Sequence, residues 1–138
     1  MKPATLPLRV DRGKAVRRTI LVRGLDLTAA SYRGQVRAYP DAPGDPIIDL
    51  PKVTNDDNGI RLMEVVTIDG LPTSVLRLQV SVATMSSSAI PEPGRAGEPG
   101  VPESAFWLGN WDMDITPTGG IEEVYARGPF RVEGVVTQ

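Results

Sequence analysis

The chain contains no cysteine, so neither a disulfide framework nor a thiolate metal site can be built from it. It contains no histidine either, which removes the commonest general base, the usual activator of a nucleophile and the usual zinc ligand together. A basic excess is also missing: 15 Lys and Arg stand against 17 Asp and Glu, whereas a nucleic-acid-binding surface needs concentrated positive charge. No nucleic-acid partner is expected. No window approaches the roughly twenty apolar residues of a bilayer span, and Met1 to Thr5 are not followed by an apolar block with a small-residue cleavage site. The expectation is a soluble chain made in the cytoplasm, without a membrane partner. Aromatic residues are few, 5% of the chain, so the two tryptophans hold much of the bulk available to a core.

What is abundant is punctuation. Glycine at 14 and proline at 13 of 138 residues favour many short strands joined by turns over long helices. The apolar and charged fractions, 41% and 23%, are those of an ordinary globular protein, and the length suits one domain over residues 1–138.

The clearest signal is the stretch from Trp107 to Val136. Trp107, Trp111, Met113 and Ile115 fall on alternate positions with Asn110, Asp112 and Asp114 between them, the pattern of a strand with one dry and one wet face. Thr116-Pro117-Thr118 ends it and Gly119-Gly120 supplies a reversal. A second strand over 121–126 is predicted to turn Val124 and Ala126 inward, and Pro129 to interrupt it at an edge or corner before Phe130-Arg131-Val132 resumes.

Earlier segments repeat the alternation. Leu6, Leu8 and Val10 suggest an edge strand that tolerates Pro7. Residues 15–23 place Val16, Ile20 and Val22 on one side with Arg18 as the one charge in their register, which must reach solvent or an acid. Gly24 to Thr28 breaks the pattern, and Tyr32, Gly34, Val36 and Ala38 form a third inward row. After the loop Pro40 to Pro46, strands are expected at Ile47 to Leu50, Ile60 to Ile68 and Ser74 to Val82. In the last of these Leu76, Leu78, Val80 and Val82 share a face, and one helical turn follows over 83–90. Asn55 to Gly59, ending in Asn-Gly, reads as a hairpin turn. Residues 91–103, with four prolines and one aliphatic side chain, form an exposed Pro/Gly-rich loop. Its glycines recur every third position at Gly94, Gly97 and Gly100, and its simplest reading is a polar linker, its sharper one an extended arm on a partner.

The run Arg12-Gly13, Gly24-Leu25-Asp26-Leu27-Thr28, Tyr32 to Arg37 and Pro40 to Gly44 resembles the opening of a family of small tailed-bacteriophage virion proteins. Members have an "RGD" or "RGT" start, a "DLTGYT" turn and an arginine-punctuated strand. Trp111-Asp112-Met113-Asp114-Ile115-Thr116 sits where the family has "YDLEVT", and Gly120-Ile121, Gly128, Phe130-Arg131-Val132 and Val136-Thr137 follow its ending. The resemblance spans Leu6 to Thr137, with residues 87–105 as the main departure. It implies an all-β, immunoglobulin-like antiparallel β-sandwich, non-enzymatic, built into a tail, baseplate or neck, with no catalytic residues to transfer.

Other readings attach to particular side chains. Asp112, Asp114, Glu122 and Glu123 lie on the closing hairpin, and a carboxylate pair can serve glycoside cleavage. The simpler account is a solvated strand face that offers no burial to perturb a carboxyl group. Laid on the EF-hand template with Gly59 at the sixth position, Thr54 and Val65 occupy positions that require acids. An Asx-type hairpin turn is the simpler account there, and calcium bound in another design stays open. Trp107 serves the core or, beside Phe106 and the insert, an exposed stacking platform for a sugar or a protein. Arg17, Arg23, Arg33 and Arg37 form outward rows on neighbouring early strands, either a solvated guard against edge pairing or a contact to an acidic neighbour. With Arg95, Phe106 and Trp107 they make the candidate interface.

The expected function is therefore a virion structural protein that assembles with copies of itself and with other virion proteins as a symmetric homo-oligomer, needing no cofactor or metal. A head-decoration protein of the capsid, or a carbohydrate-binding module using Trp107 or Tyr125, is the alternative. A hydrolase is disfavoured by the missing histidine.

Overall fold

The computed structural model describes residues 4–88, 90–91, 106–117, 119–120 and 122–134. Most of Arg95's segment, residues 92–105, lies outside the described residues, as does that arginine. Among the described residues the chain forms ten strands and one helical turn. In chain order these are β1 (Ala4–Thr5), β2 (Leu8–Asp11), β3 (Val16–Arg23), β4 (Ser31–Arg37), β5 (Ile48–Leu50), β6 (Lys52–Val53), β7 (Gly59–Ile68), β8 (Leu71–Val80), α1 (Val82–Met85), β9 (Phe106–Thr116) and β10 (Glu123–Glu133).

β9 and β10 pair antiparallel from Phe106↔Glu133 to Ile115↔Glu123. As the alternation predicts, Trp111, Met113 and Ile115 are buried. Val124 is not: the register slips between Val124 and Ala126, and this bulge turns Val124 outward while Ala126 stays inside. The turn before β10 uses Gly119 at φ +72°.

Pro129 does not break the strand; β10 runs through it. The N-terminal chain lies along the free edge of β10, β1 and β2 both running parallel to it. Leu6 N–H donates to the Arg127 carbonyl and Arg12 N–H to that of Glu133, each at 2.9 Å. Backbone groups alternate sides along a strand, so Pro129, two residues from Arg127, has its missing donor on this same side. There it faces the gap at Pro7 between β1 and β2, and no ladder bond is lost. Gly128 permits the approach, since a Cβ there would stand 2.6 Å from the Leu6 carbonyl oxygen.

β4 pairs with the other side of β9 and β5 with β4, giving a first sheet ordered β1/β2-β10-β9-β4-β5. The second sheet is β3-β8-β7-β6. β7 and β8 are joined by Asp69-Gly70, at φ +51° and +77°, a two-residue hairpin turn with both central residues left-handed. Asn58-Gly59 makes no hairpin. β6 runs parallel to β7, because the chain crosses from β5 in the first sheet to β6 in the second before looping back. Both sheets are thus mixed, where an antiparallel sandwich was expected.

The two sheets bury one continuous core. Trp111, Met113, Phe130, Val132, Val36 and Leu50 from the first meet Ile20, Val22, Ile60, Leu76, Leu78 and Val80 from the second. Each fully buried large side chain contributes roughly 1.5–3 kcal/mol, so the alternation seen in sequence is also the main source of stability. Ser81 caps α1 by accepting from Thr84 N–H at 3.2 Å, which leaves Val82 outside on the helix and off the inner face of β8. Ala38 is likewise exposed, because β4 ends at Arg37.

Candidate functional site

Three places on this frame hold the candidate side chains. The first is the outer face of the first sheet, where β9 presents Asp112 and Asp114. The face is half-buried, not open, because the long side chains of β4 and β10 flank it. Ser31, Tyr32, Arg33, Asp114, Thr116 and Glu122 line a small pocket of about 100 Å³. Asp114 Oδ1 is buried there without a hydrogen-bond partner. Burial first, then the Asp112 and Glu122 carboxylates and a hydrogen bond with Glu122, push the Asp114 carboxyl up to about 6, against the lowering pull of Arg33. Asp112 instead accepts from Gln35 Nε2 at 3.3 Å. Glu123 is exposed and does not line this pocket. Asp114 therefore keeps its proton to a higher pH than an ordinary aspartate. Among the described residues no three His, Cys, Asp or Glu side chains are grouped as metal ligands would be. In the Asn55–Gly59 loop, the Asp57 N–H donates to Asn55 Oδ1 at 3.0 Å, an Asx turn. Asp56 is engaged by Arg61 at 2.9 Å. Gln79 Nε2 holds the loop by donating to the Asn55 and Asp57 carbonyls at 2.6 and 2.8 Å.

The second place is the arginine set, which the fold divides. β3 and β4 belong to different sheets, so Arg17 and Arg23 stand on one outer face of the sandwich and Arg33 and Arg37 on the other. No common row exists, because Gly24 to Ala30 carries the chain from one layer to the next. Arg33 pairs with Asp49 at 3.3 Å. Arg37 donates to the carbonyls of Ala42 and Gly44 at 2.7 and 2.6 Å and so fastens the proline-rich loop. Arg18 leaves the inner register for solvent and donates to the Arg9 carbonyl at 2.6 Å.

Phe106 and Trp107 diverge as alternation requires. Trp107 lies on the inner side, partly buried against the core and packed over Gly109, where a Cβ would collide with its ring. Phe106 points out beneath the Arg131 guanidinium, 3.5 Å from its ring centre. Next to it on the outer register is Leu108, 54% exposed, and across from that Tyr39, 57% exposed. Together with Pro40, Pro129, Asn110 and Arg127 these line a shallow groove of about 410 Å³. Sequence reasoning misses Tyr39 and Leu108, yet Leu108 carries a signal: it is an aliphatic residue in the wet register of β9.

A scan of protein families and a search of curated proteins find no match to this chain.

Proposed function

We propose that the chain is a non-enzymatic structural protein of a tailed-bacteriophage particle, an immunoglobulin-like β-sandwich that works through its surfaces. Its place is the tail, baseplate or neck. The observation that carries the reading is a coincidence of motif and topology. The motif order at Arg12-Gly13, Gly24–Thr28, Trp111–Thr116 and Phe130–Val132 falls on a turn, a turn, β9 and β10 in that sequence. The strand order supports the immunoglobulin-like part: an N-terminal strand parallel to the last strand, then β9, β4 and β5, facing β3, β8 and β7. That corresponds to A-G-F-C-C′ against B-E-D in the immunoglobulin scheme. Such a domain contributes buried area multiplied by symmetry, with copies of itself and neighbouring particle proteins as partners. The experiment is mass spectrometry of gradient-purified particles from the phage that encodes the chain. Recovery in stoichiometric amount is expected, and absence from intact particles sinks the reading.

The groove at Tyr39 favours a second reading, a carbohydrate-binding module for host-surface recognition. An exposed aromatic ring beside Asn110 and Arg127 offers stacking and polar contacts together. The platform then is Tyr39, since Trp107 faces the core side. Glycan-array binding lost in Tyr39→Ala supports it, and an array without hits removes it.

A further inference from the structure

The outer face of the second sheet carries like charges in direct opposition. Arg61 on β7 and Arg77 on β8 are register partners, and Thr19 of β3 continues the row. Like charges directly across a ladder destabilise a sheet. Arg61 has Asp56 at 2.9 Å. Among the described residues the side chains of Arg77, Arg17 and Arg23 have no hydrogen bond or ion pair. Glu64, beside Val75 in the next row, is the one acid within the strands of this face. No lysine lies in β3, β7 or β8, and Lys52 of the edge strand β6 donates to the Ala30 carbonyl. Leu21 and Met63, 44% and 39% exposed, lie among the arginines. Arginine and methionine with lysine depleted is the composition of protein interfaces, and no aromatic ring is present on which bases would stack.

The opposite face mixes both signs but holds one local acid cluster, Asp112, Asp114 and Glu122, whose mutual repulsion raises the Asp114 carboxyl. Of its cations, Arg33 is held by Asp49, Arg9 and Arg131 share Glu133, and Arg37 is held by two backbone carbonyls. Arg127 stands across the ladder from Asp112 and Arg33 across from Asp114, yet the repulsion of Asp112 and Glu122 on Asp114 outweighs the pull of Arg33. The Arg61–Arg77 opposition on one face and the Asp112–Asp114–Glu122 cluster on the other are thus local groupings of opposite sign.

We infer that copies of this chain associate face to back, the Arg17–Arg77–Arg61 face of one docking on the Asp112–Asp114 face of the next. The inference deepens the structural-protein reading, on which it rests for its setting. Such a contact is heterologous, so it propagates into a ring or a filament and does not close as a two-fold dimer. The eight residues over which β3 pairs with β8, taken across three strands, give a flat projected footprint of about 26 by 14 Å, a small patch beside those that bury the roughly 800 Å² per partner of a stable complex. Single contacts are weak, and repetition makes them count.

The test is sedimentation velocity of the whole chain at low and high salt, with Arg77→Gln, Arg77→Glu and Asp112→Arg variants. Expected is concentration-dependent association at low salt that salt dissolves. Each charge-reversed variant weakens it roughly tenfold or more, and a mixture of Arg77→Glu with Asp112→Arg restores it. Arg77→Gln gives a second, independent signature: by removing the repulsion with Arg61 it raises the melting temperature while lowering association. A residue needed only for folding would lower both. A monomer at roughly 1 mM in low salt, or association unchanged in both reversed variants, overturns the inference. Absence from particles with the self-association intact removes the virion reading and leaves this contact standing.

Discussion

The indole N–H of Trp111 donates to the carbonyl of Leu6 at 2.7 Å, across 105 positions of sequence. The bond lies at the one place where the N-terminal strand is interrupted, between β1 and β2, so a buried side chain of β9 completes a ladder that Pro7 and Pro129 leave open. A phenylalanine there keeps most of the apolar bulk and removes the donor. The Leu6 carbonyl then loses its partner, and the smaller ring leaves a void. We expect Trp111→Phe to cost about 2–4 kcal/mol, seen as a lower urea midpoint with unchanged slope. A loss under about 0.5 kcal/mol would mean that the bond is replaced by water at no cost.

How much of this was legible in the sequence depends on what each feature needs. The burial of Trp111, Met113 and Ile115 is legible from a period of two alone, which requires no knowledge of the partner strand. Pro129 reads as a break in sequence because the side on which its missing donor falls depends on a strand more than a hundred residues away. Asn58-Gly59 failed for a related reason: the turn residues are real, and Asp57 makes its Asx bond. The flanking strands, however, belong to a parallel pair that only the crossover from β5 to β6 creates. The arginine rows were visible as rows, but nothing local says that Gly24 to Ala30 changes layers. The half-burial of Asp114 is likewise invisible, since half of the pocket around it, Ser31, Tyr32 and Arg33, comes from β4.

Gly109 sits beneath the Trp107 ring, and a methyl group at that position meets the ring and lies 2.9 Å from the Arg37 carbonyl oxygen. The ring is able to swing outward, the carbonyl is not. Gly109→Ala is expected to destabilise the fold by roughly 1–3 kcal/mol and to shift Trp107 fluorescence to the red as the ring enters water. Gly119→Ala, with open space around its Cβ but φ +72°, is the control: it strains the backbone and leaves the Trp107 emission unmoved. Equal emission from wild type and Gly109→Ala would show that the ring does not depend on the glycine.

Asp114 makes the folded state sensitive to pH in the direction opposite to Asp26 and Glu133. Its carboxyl is raised from 3.8 to about 6 by burial, by Asp112 and Glu122 and by the Glu122 hydrogen bond, with Arg33 opposing. Between those two values the folded chain binds more protons than the unfolded one, so its stability falls as pH rises through the window. Asp26, lowered chiefly by the Thr28 hydroxyl, and Glu133, lowered chiefly by Arg9, act the other way and lose their contribution as pH falls through the acid range. Asp114→Asn removes only the first effect, and the amide can still donate to Glu122. The variant is expected to be more stable than the parent at pH 7, and its advantage to shrink steadily toward pH 4. Urea midpoints of the two proteins measured from about pH 4 to pH 7 decide the matter. Parallel curves across that range would place the Asp114 titration outside it, and an Asp114→Asn protein weaker at pH 7 would mean that the carboxylate is stabilised in the fold as a charge.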